Sequence, residues 1–192
     1  MSLRHALLAV LTAQPMTGYD AAKAFHSSVG HVWHAPDSQI YPALRAMESE
    51  GWVAGTAVPW GTNSTKTEYS ITESGLSEFR RWMSEPLNYQ PQRDPAHLRA
   101  AYFEWADPAT VSAQLRAHIK HFEDQRTQWQ LQLKQILNLS HPLVARRIEL
   151  YPADAERLVA YKAFSYEGLI AIATTEINWA TSGLRLVERL NR

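Results

Sequence analysis

The sequence predicts a mainly α-helical chain, with short helices and one β-ribbon in its N-terminal half and long helices in its C-terminal half. Three observations predict this. Before residue 84, apolar residues recur at helical spacing in several short segments broken by Pro and Gly. Residues 52–60 and 67–71 are rich in apolar and β-branched residues and flank the turn cluster 61–66. Beyond residue 96, apolar residues repeat at alternating intervals of three and four over long stretches. At 192 residues the chain is long enough to bury roughly 70% of its unfolded surface.

The N-terminal half is organised around residues 37–51. As a helix this stretch buries Ile40, Leu44 and Met47, an i, i+4, i+7 stripe. The opposite face carries Ser38, Pro42, Arg45 and Ser49, flanked by Gln39, Tyr41 and Ala46. Asp37 or Ser38 is placed to cap it, Gly51 to stop it, and Pro42 fits only near its start. A helix offering small polar groups and one guanidinium suits a DNA major groove. Two helices precede it. Leu3, Leu7, Val10 and Leu11 mark the first, which Pro15 ends. Thr17 caps the second, whose inward set is Ala21 or Ala22, Phe25 and Val29. Residues 30–36 form a longer connection than a simple helix-turn-helix needs, with Trp33 expected to pack beneath the motif.

After Gly51 come a strand over 52–60, a turn over 61–66 and a strand over 67–71. Thr72 then caps a fourth helix with Leu76, Phe79 and Met83 inward. Helix, helix, two-stranded wing, helix is a winged helix-turn-helix. Three spaced motifs sharpen the reading: Thr17-Gly18-Tyr19; residues 38–44 with Met47-Glu48 and Gly51; and residues 69–75, Tyr-Ser-Ile-Thr-Glu-Ser-Gly. In this order they resemble the PadR family of transcriptional regulators.

The resemblance implies a homodimer on a pseudo-palindromic double-stranded DNA operator, with repression the commoner mode. Candidate DNA contacts are Thr17, Tyr19, Ser38, Gln39, Tyr41, Pro42 and Arg45, with Asn63, Thr65 and Lys66 at the wing tip beside the minor groove. Arg45 is expected to touch a base or a phosphate.

Domain boundaries are expected at 1–84 for the winged helix, 85–95 for a proline-rich linker, and 96–192 for a helical dimerisation domain. The helical part opens with a short helix over 96–105 carrying Leu98, Tyr102 and Phe103. Asp107 then caps a long helix whose first residue is Pro108. Its heptad seam is Leu115, Ile119, Phe122, Arg126, Trp129, Leu133 and Ile136. Residues 138–141 break it, and a short helix covers 143–150. Pro152 opens the last helix, with a seam through Leu158, Tyr161, Ser165, Gly168, Ile172, Thr175, Trp179, Ser182 or Gly183, Leu186 and Leu190. Leu115, Ile119, Phe122, Trp129, Leu133, Ile172, Trp179 and Leu186 are the expected dimer contacts. The resemblance adds that some relatives respond to small aromatic or hydrophobic compounds. An effector is expected between the C-terminal helices and the winged helix, against Trp33, Tyr161, Phe164, Gly168 and Trp179.

Composition narrows the classes. The chain carries 19 basic and 19 acidic residues, and residues 1–90 carry six against eight, a formal net of −2. Non-specific phosphate attraction therefore cannot be the main source of affinity. The −2 balance supports the rival reading, a winged-helix protein–protein adaptor without DNA binding. Zero cysteine excludes thiolate metal sites and nucleophiles and fits a cytoplasmic setting. No signal peptide or membrane span is expected. His31 with His34, and His118 with His121, have i, i+3 spacing but no convincing third ligand, so no metal or cofactor is expected. Without a phosphate loop or nucleophile elbow, no enzyme is expected either.

Overall fold

The computed structural model describes residues 3–30, 32–89 and 93–191. They form two compact units, Met1–Leu87 with Pro142–Ala155, and Asn88–His141 with Glu156–Arg192. The segment Pro142–Ala155 thus joins the N-terminal unit, although its position in the chain led us to expect it in the helical half.

The first unit contains α1 (Leu3–Leu11), β1 (Met16–Thr17), α2 (Gly18–Ser28), α3 (Asp37–Ser49), β2 (Val53–Trp60), β3 (Ser64–Ile71), α4 (Glu73–Ser84) and α7 (Pro142–Leu150). Its core joins Leu7, Leu8 and Leu11 of α1, Phe25 of α2, the Ile40–Leu44–Met47 stripe of α3, and Tyr69 of β3. Trp33 and Leu143 are partly buried against that core. The antiparallel sheet has strand order β1-β3-β2. It has one strand more than expected, because Met16 and Thr17 pair with Tyr69 and Glu68. The wing is also longer than expected. β3 begins at Ser64, and Gly61 at φ +65° allows the chain to reverse over three residues.

Local chemistry ends and joins these elements. Pro36, not Asp37 or Ser38, occupies the position before α3, with no side-chain cap. Asp37 instead receives the His26 imidazole at 2.7 Å. At the other end Gly51 takes φ +76°, and Trp52 N–H reaches the Met47 carbonyl at 2.9 Å, which closes the helix. Thr72 caps α4 by accepting Gly75 N–H, and its hydroxyl donates to the Gly51 carbonyl at 2.6 Å. A Cβ at Gly75 would collide with the Trp52 carbonyl oxygen, so α4 starts hard against the root of the wing. Met83, expected inward, is 63% exposed. The inner face of α4 runs through Phe79 and Trp82, and Trp82 stacks on His5 at 4.9 Å. His5 also meets Glu78, whose carboxyl is held down to about 2 by the Arg81 guanidinium and then by His5.

The second unit contains α5 (Pro95–Ala100), α6 (Pro108–Leu137) and, from Glu156 on, α8 (Ala155–Leu190). The helix expected over 96–105 stops at Ala100 and resumes as a 3₁₀ turn at Phe103–Trp105, with Leu98 and Tyr102 exposed. Pro152–Asp154 is likewise a 3₁₀ turn ahead of α8. Asp107 caps α6 by accepting Thr110 N–H at 2.9 Å. The seam of α6 is used inside the chain. Leu115 and Val111 cluster with Ala180 of α8, with Ile119, Trp179, Leu184 and Val187 around them. A Cβ at Gly183 would lie 3.0 Å from Leu115, so this glycine sits at a close approach.

The buried set of α8 is Ala163, Tyr166, Ala173, Ile177 and Ala180. It lies roughly 130° around the helix from the seam expected there. Much of the expected seam therefore faces outward, with Tyr161, Ile172, Leu186 and Leu190 exposed and Phe164 beside them, whereas Trp179 and Gly183 stay against α6. Nothing lies within 4 Å of a Cβ at Gly168 on the same outer side. Burial pushes the Tyr166 hydroxyl up to about 12. Among the described residues no helix is long and apolar enough to cross a membrane.

The junction of Thr72 and Gly75 with the wing root gives a ranking. Thr72→Ala is expected to cost about 1–2 kcal/mol through loss of the cap. Gly75→Ala is expected to cost more, because backbone must move to admit the methyl group. Urea titration of both variants against the parent checks the order.

Candidate DNA-binding surface

The burial of Ile40, Leu44 and Met47 turns the other side of α3 outward, and Ser38, Gln39, Pro42 and Arg45 are all exposed. Arg45 forms no ion pair among the described residues. Its charge and that of Glu48 both act on Tyr69, whose hydroxyl is pushed up by burial and by Glu48 and drawn down by Arg45. Glu48 leans off the outer face towards the wing, and a Cβ at Gly55 would collide with its carboxylate. Glu50 is tied to Arg4 at 2.5 Å. The two carboxylates of the second half of α3 are thus drawn aside from Arg45.

Tyr41 is 37% exposed, and its ring rests on the first residue of α2. A Cβ at Gly18 would come within 2.8 Å of Tyr41 Cε1, so an alanine there would have to push the tyrosine ring aside. The Thr17-Gly18-Tyr19 motif then has three separate physical roles. Thr17 is occupied as a cap, accepting Asp20 N–H at 3.2 Å while its hydroxyl donates to the Asp20 carboxylate at 2.7 Å. Gly18 makes room for Tyr41. Tyr19 is 62% exposed and directs its ring towards the wing.

Lys66 is not at the wing tip. It pairs with Val58 two residues inside β3, and Thr65 pairs with Pro59 on the opposite face of the ribbon. Of the expected wing residues only Asn63 lies in the turn. The Lys66 ammonium sits 2.7 Å from the centroid of the Trp60 ring and 5.9 Å from that of Tyr19. Tyr41, Gly18, Tyr19, Lys66 and Trp60 thereby form one strip running from α3 to the wing. Trp60 was missed by sequence reasoning, since only the strand register brings it beside Lys66.

The residues expected around an effector lie on different elements. Trp33 belongs to the first unit's core, while Tyr161 and Phe164 are exposed on α8. Phe164 and Trp179 are fifteen residues apart on one helix, roughly 22 Å, too far to line one small pocket in a single chain. Trp179 is half-buried, stacked on His97 at 4.1 Å and meeting His118 edge-on at 5.2 Å. It borders a cleft of about 380 Å³ with Arg99, Phe103, Gln114 and His118. A second cleft of about 700 Å³ lies on its other side, lined by Phe103, Val111, Leu186 and Leu190 among others. His118 pairs with Glu176 at 3.0 Å, and His121 packs on Phe122. His34 is exposed, and His31 lies outside the described residues.

A three-helix core, a β-ribbon beside it and an outward-facing third helix define a winged-helix domain. Residues 7–81 match the family described as transcriptional regulator PadR-like. A probable transcriptional regulator of Mycobacterium tuberculosis is 42% identical over 88 residues, 46% of this chain and 47% of that relative. The negative transcriptional regulator PadR of Bacillus subtilis is 34% identical over 89 residues, again 46% of this chain and 47% of the relative. The chain spans about half the length of the curated relatives it matches. In fold it is similar over almost all its length to the crystal structure of B. subtilis PadR in complex with operator DNA. That similarity has a TM-score of 0.75 at 22% identity, covering 96% of this chain and 98% of that one. The same protein in complex with p-coumaric acid gives a TM-score of 0.71 at 19% identity, covering 97% and 95%.

The contact of Gly18 with Tyr41 is open to a double-mutant cycle. Gly18→Ala should destabilise the parent by about 1–3 kcal/mol and do so much less in a Tyr41→Ala background. Equal losses in both backgrounds, measured by thermal and urea unfolding, would show that the two positions do not interact.

Proposed function

We propose that this chain is a DNA-binding transcriptional regulator that acts as a homodimer and represses from a two-fold-related operator. The observation that carries the reading is the outer face of α3, where Ser38, Gln39 and unpaired Arg45 stand exposed above a fully buried stripe. Such a helix enters a major groove with its polar groups foremost, and Tyr41 and Lys66 flank it at the groove edge. The −2 balance of residues 1–90 is no obstacle. Affinity then comes from shape, a few directed contacts and two copies of the reading helix rather than from diffuse charge. The description of the B. subtilis relative as a negative regulator, and its crystal complex with operator DNA, support the same reading.

The second copy is supported by α8. Its outer side offers Tyr161, Phe164, Ile172 and Leu186 beside the bare backbone of Gly168, a broad apolar face of the kind that monomers rarely leave in water. The α6 seam is already used within the chain, so the proposed dimer rests on the outer side of α8. A small aromatic effector fits the cleft beside Trp179, where Phe103 and the indole supply flat walls and Arg99 and His118 supply polar partners. The p-coumaric acid complex of the B. subtilis protein supports an effector of this size and class.

Two measurements test this. On a duplex that the parent binds specifically, Arg45→Ala should weaken binding by about 1–3 kcal/mol while the fold is kept. Binding by the parent should fall steeply as salt rises. Affinity indifferent to both would favour the adaptor. In sedimentation, Phe164→Glu with Ile172→Lys should give a folded monomer that holds a half-site weakly. A dimer that survives both changes would move the interface elsewhere.

A further inference from the structure

Trp60 is the last residue of β2 and is 57% exposed. The turn beyond it, Gly61-Thr62-Asn63, carries only small side chains, so the indole is the foremost large group on the wing. Trp60 pairs with Ser64, and Val58 pairs with Lys66. This register sets Trp60 and Lys66 diagonally on one face of the ribbon. The ammonium lies on the indole face at 2.7 Å from its centroid, with Tyr19 on its far side. Lys66 is consequently half-buried rather than extended into water. A lysine free to swing meets any phosphate and reports little about its surroundings. A lysine resting on an indole offers a charge beside a flat apolar surface. On duplex DNA the same pair of surfaces, an apolar sugar edge and an anionic oxygen, recurs along each wall of the minor groove.

We infer that Trp60 is a DNA-contact residue whose indole packs on a deoxyribose at the minor-groove edge while Lys66, held on the ring, meets the neighbouring phosphate. The inference rests on the DNA-binding reading given above. It assigns the wing a specific task, which is to read groove width at the flanks of each half-site. A narrow A·T-rich groove brings the sugar-phosphate walls together and deepens the negative potential between them. An indole–ammonium pair gains both contacts there and loses one where G·C pairs widen the groove. Base edges play no part in this discrimination.

The test uses the full chain and two duplexes with one core site and either A·T-rich or G·C-rich flanks where the wings fall. By fluorescence anisotropy the parent should prefer the A·T flanks. Trp60→Ala should bind that duplex about tenfold more weakly and treat the two flanks alike. Trp60→Phe should keep part of the preference, and Lys66→Ala should lower the salt slope by about one unit. Intrinsic fluorescence gives a readout independent of how well Trp60→Ala folds. Saturable quenching of the parent by the A·T duplex should be largely lost in Trp60→Phe. Parental affinity, flank preference and salt slope in Trp60→Ala would overturn the assignment, as would quenching that persists in Trp60→Phe. A parent that shows no salt-sensitive binding to either duplex overturns the DNA-binding reading itself, whereas an Arg45→Ala variant that binds as the parent does overturns only the role given to Arg45.

Discussion

The burial of Ile40, Leu44 and Met47 is the constraint on which the rest of the N-terminal unit depends. Each is fully buried against α1, α2 and β3. At about 1.5–3 kcal/mol per buried side chain, turning α3 about its axis would forfeit an energy comparable to the whole stability of a domain. The helix is therefore locked in rotation, and the side that carries Ser38, Gln39 and Arg45 is held outward without any contact of its own. The same locking positions Tyr41 over Gly18, and through Gly18 and Tyr19 it relates α3 to the wing. Thr72 completes the arrangement by tying the wing root to α4 through Gly51 and Gly75.

The helical unit solves a different problem, because α8 is apolar on two sides. Ala163, Ala173 and Ala180 face inward together with Tyr166 and Ile177, while Tyr161, Phe164, Ile172 and Leu186 face out. Gly183 marks the tight contact with Leu115, whereas among the described residues nothing comes within 4 Å of where a Cβ of Gly168 would lie. The two glycines carry the same cost to helix stability and differ in what surrounds them. In the proposed dimer the gap at Gly168 is filled by the second copy.

The helix stripes of the first unit were legible because local spacing and burial there follow a single period. Leu7, Leu11, Phe25, Ile40, Leu44 and Met47 all lie in the core, as the spacing implied. The phase of α8 was not legible. A heptad repeat is met by two registers in that helix, and the choice of the larger side chains selected the outward one. The wing was half legible. Its turn holds small polar residues with no periodicity, so the extent of β3 and the true place of Lys66 depend on cross-strand pairing that spacing does not encode. The contact of Trp60 with Lys66 and the unit to which α7 belongs were missed for the same reason, since both depend on partners distant in sequence. For Leu143 of α7 that partner is the first unit's core.

The central claim is that the outer face of α3 reads DNA in two symmetric copies. Selection of bound duplexes from a random pool by the full chain tests it most directly. The account predicts an enriched pseudo-palindrome whose half-sites are about one helical turn, roughly 10 base pairs, apart or a multiple of that. A pool that shows no enrichment, or that converges on a single asymmetric half-site, would contradict it.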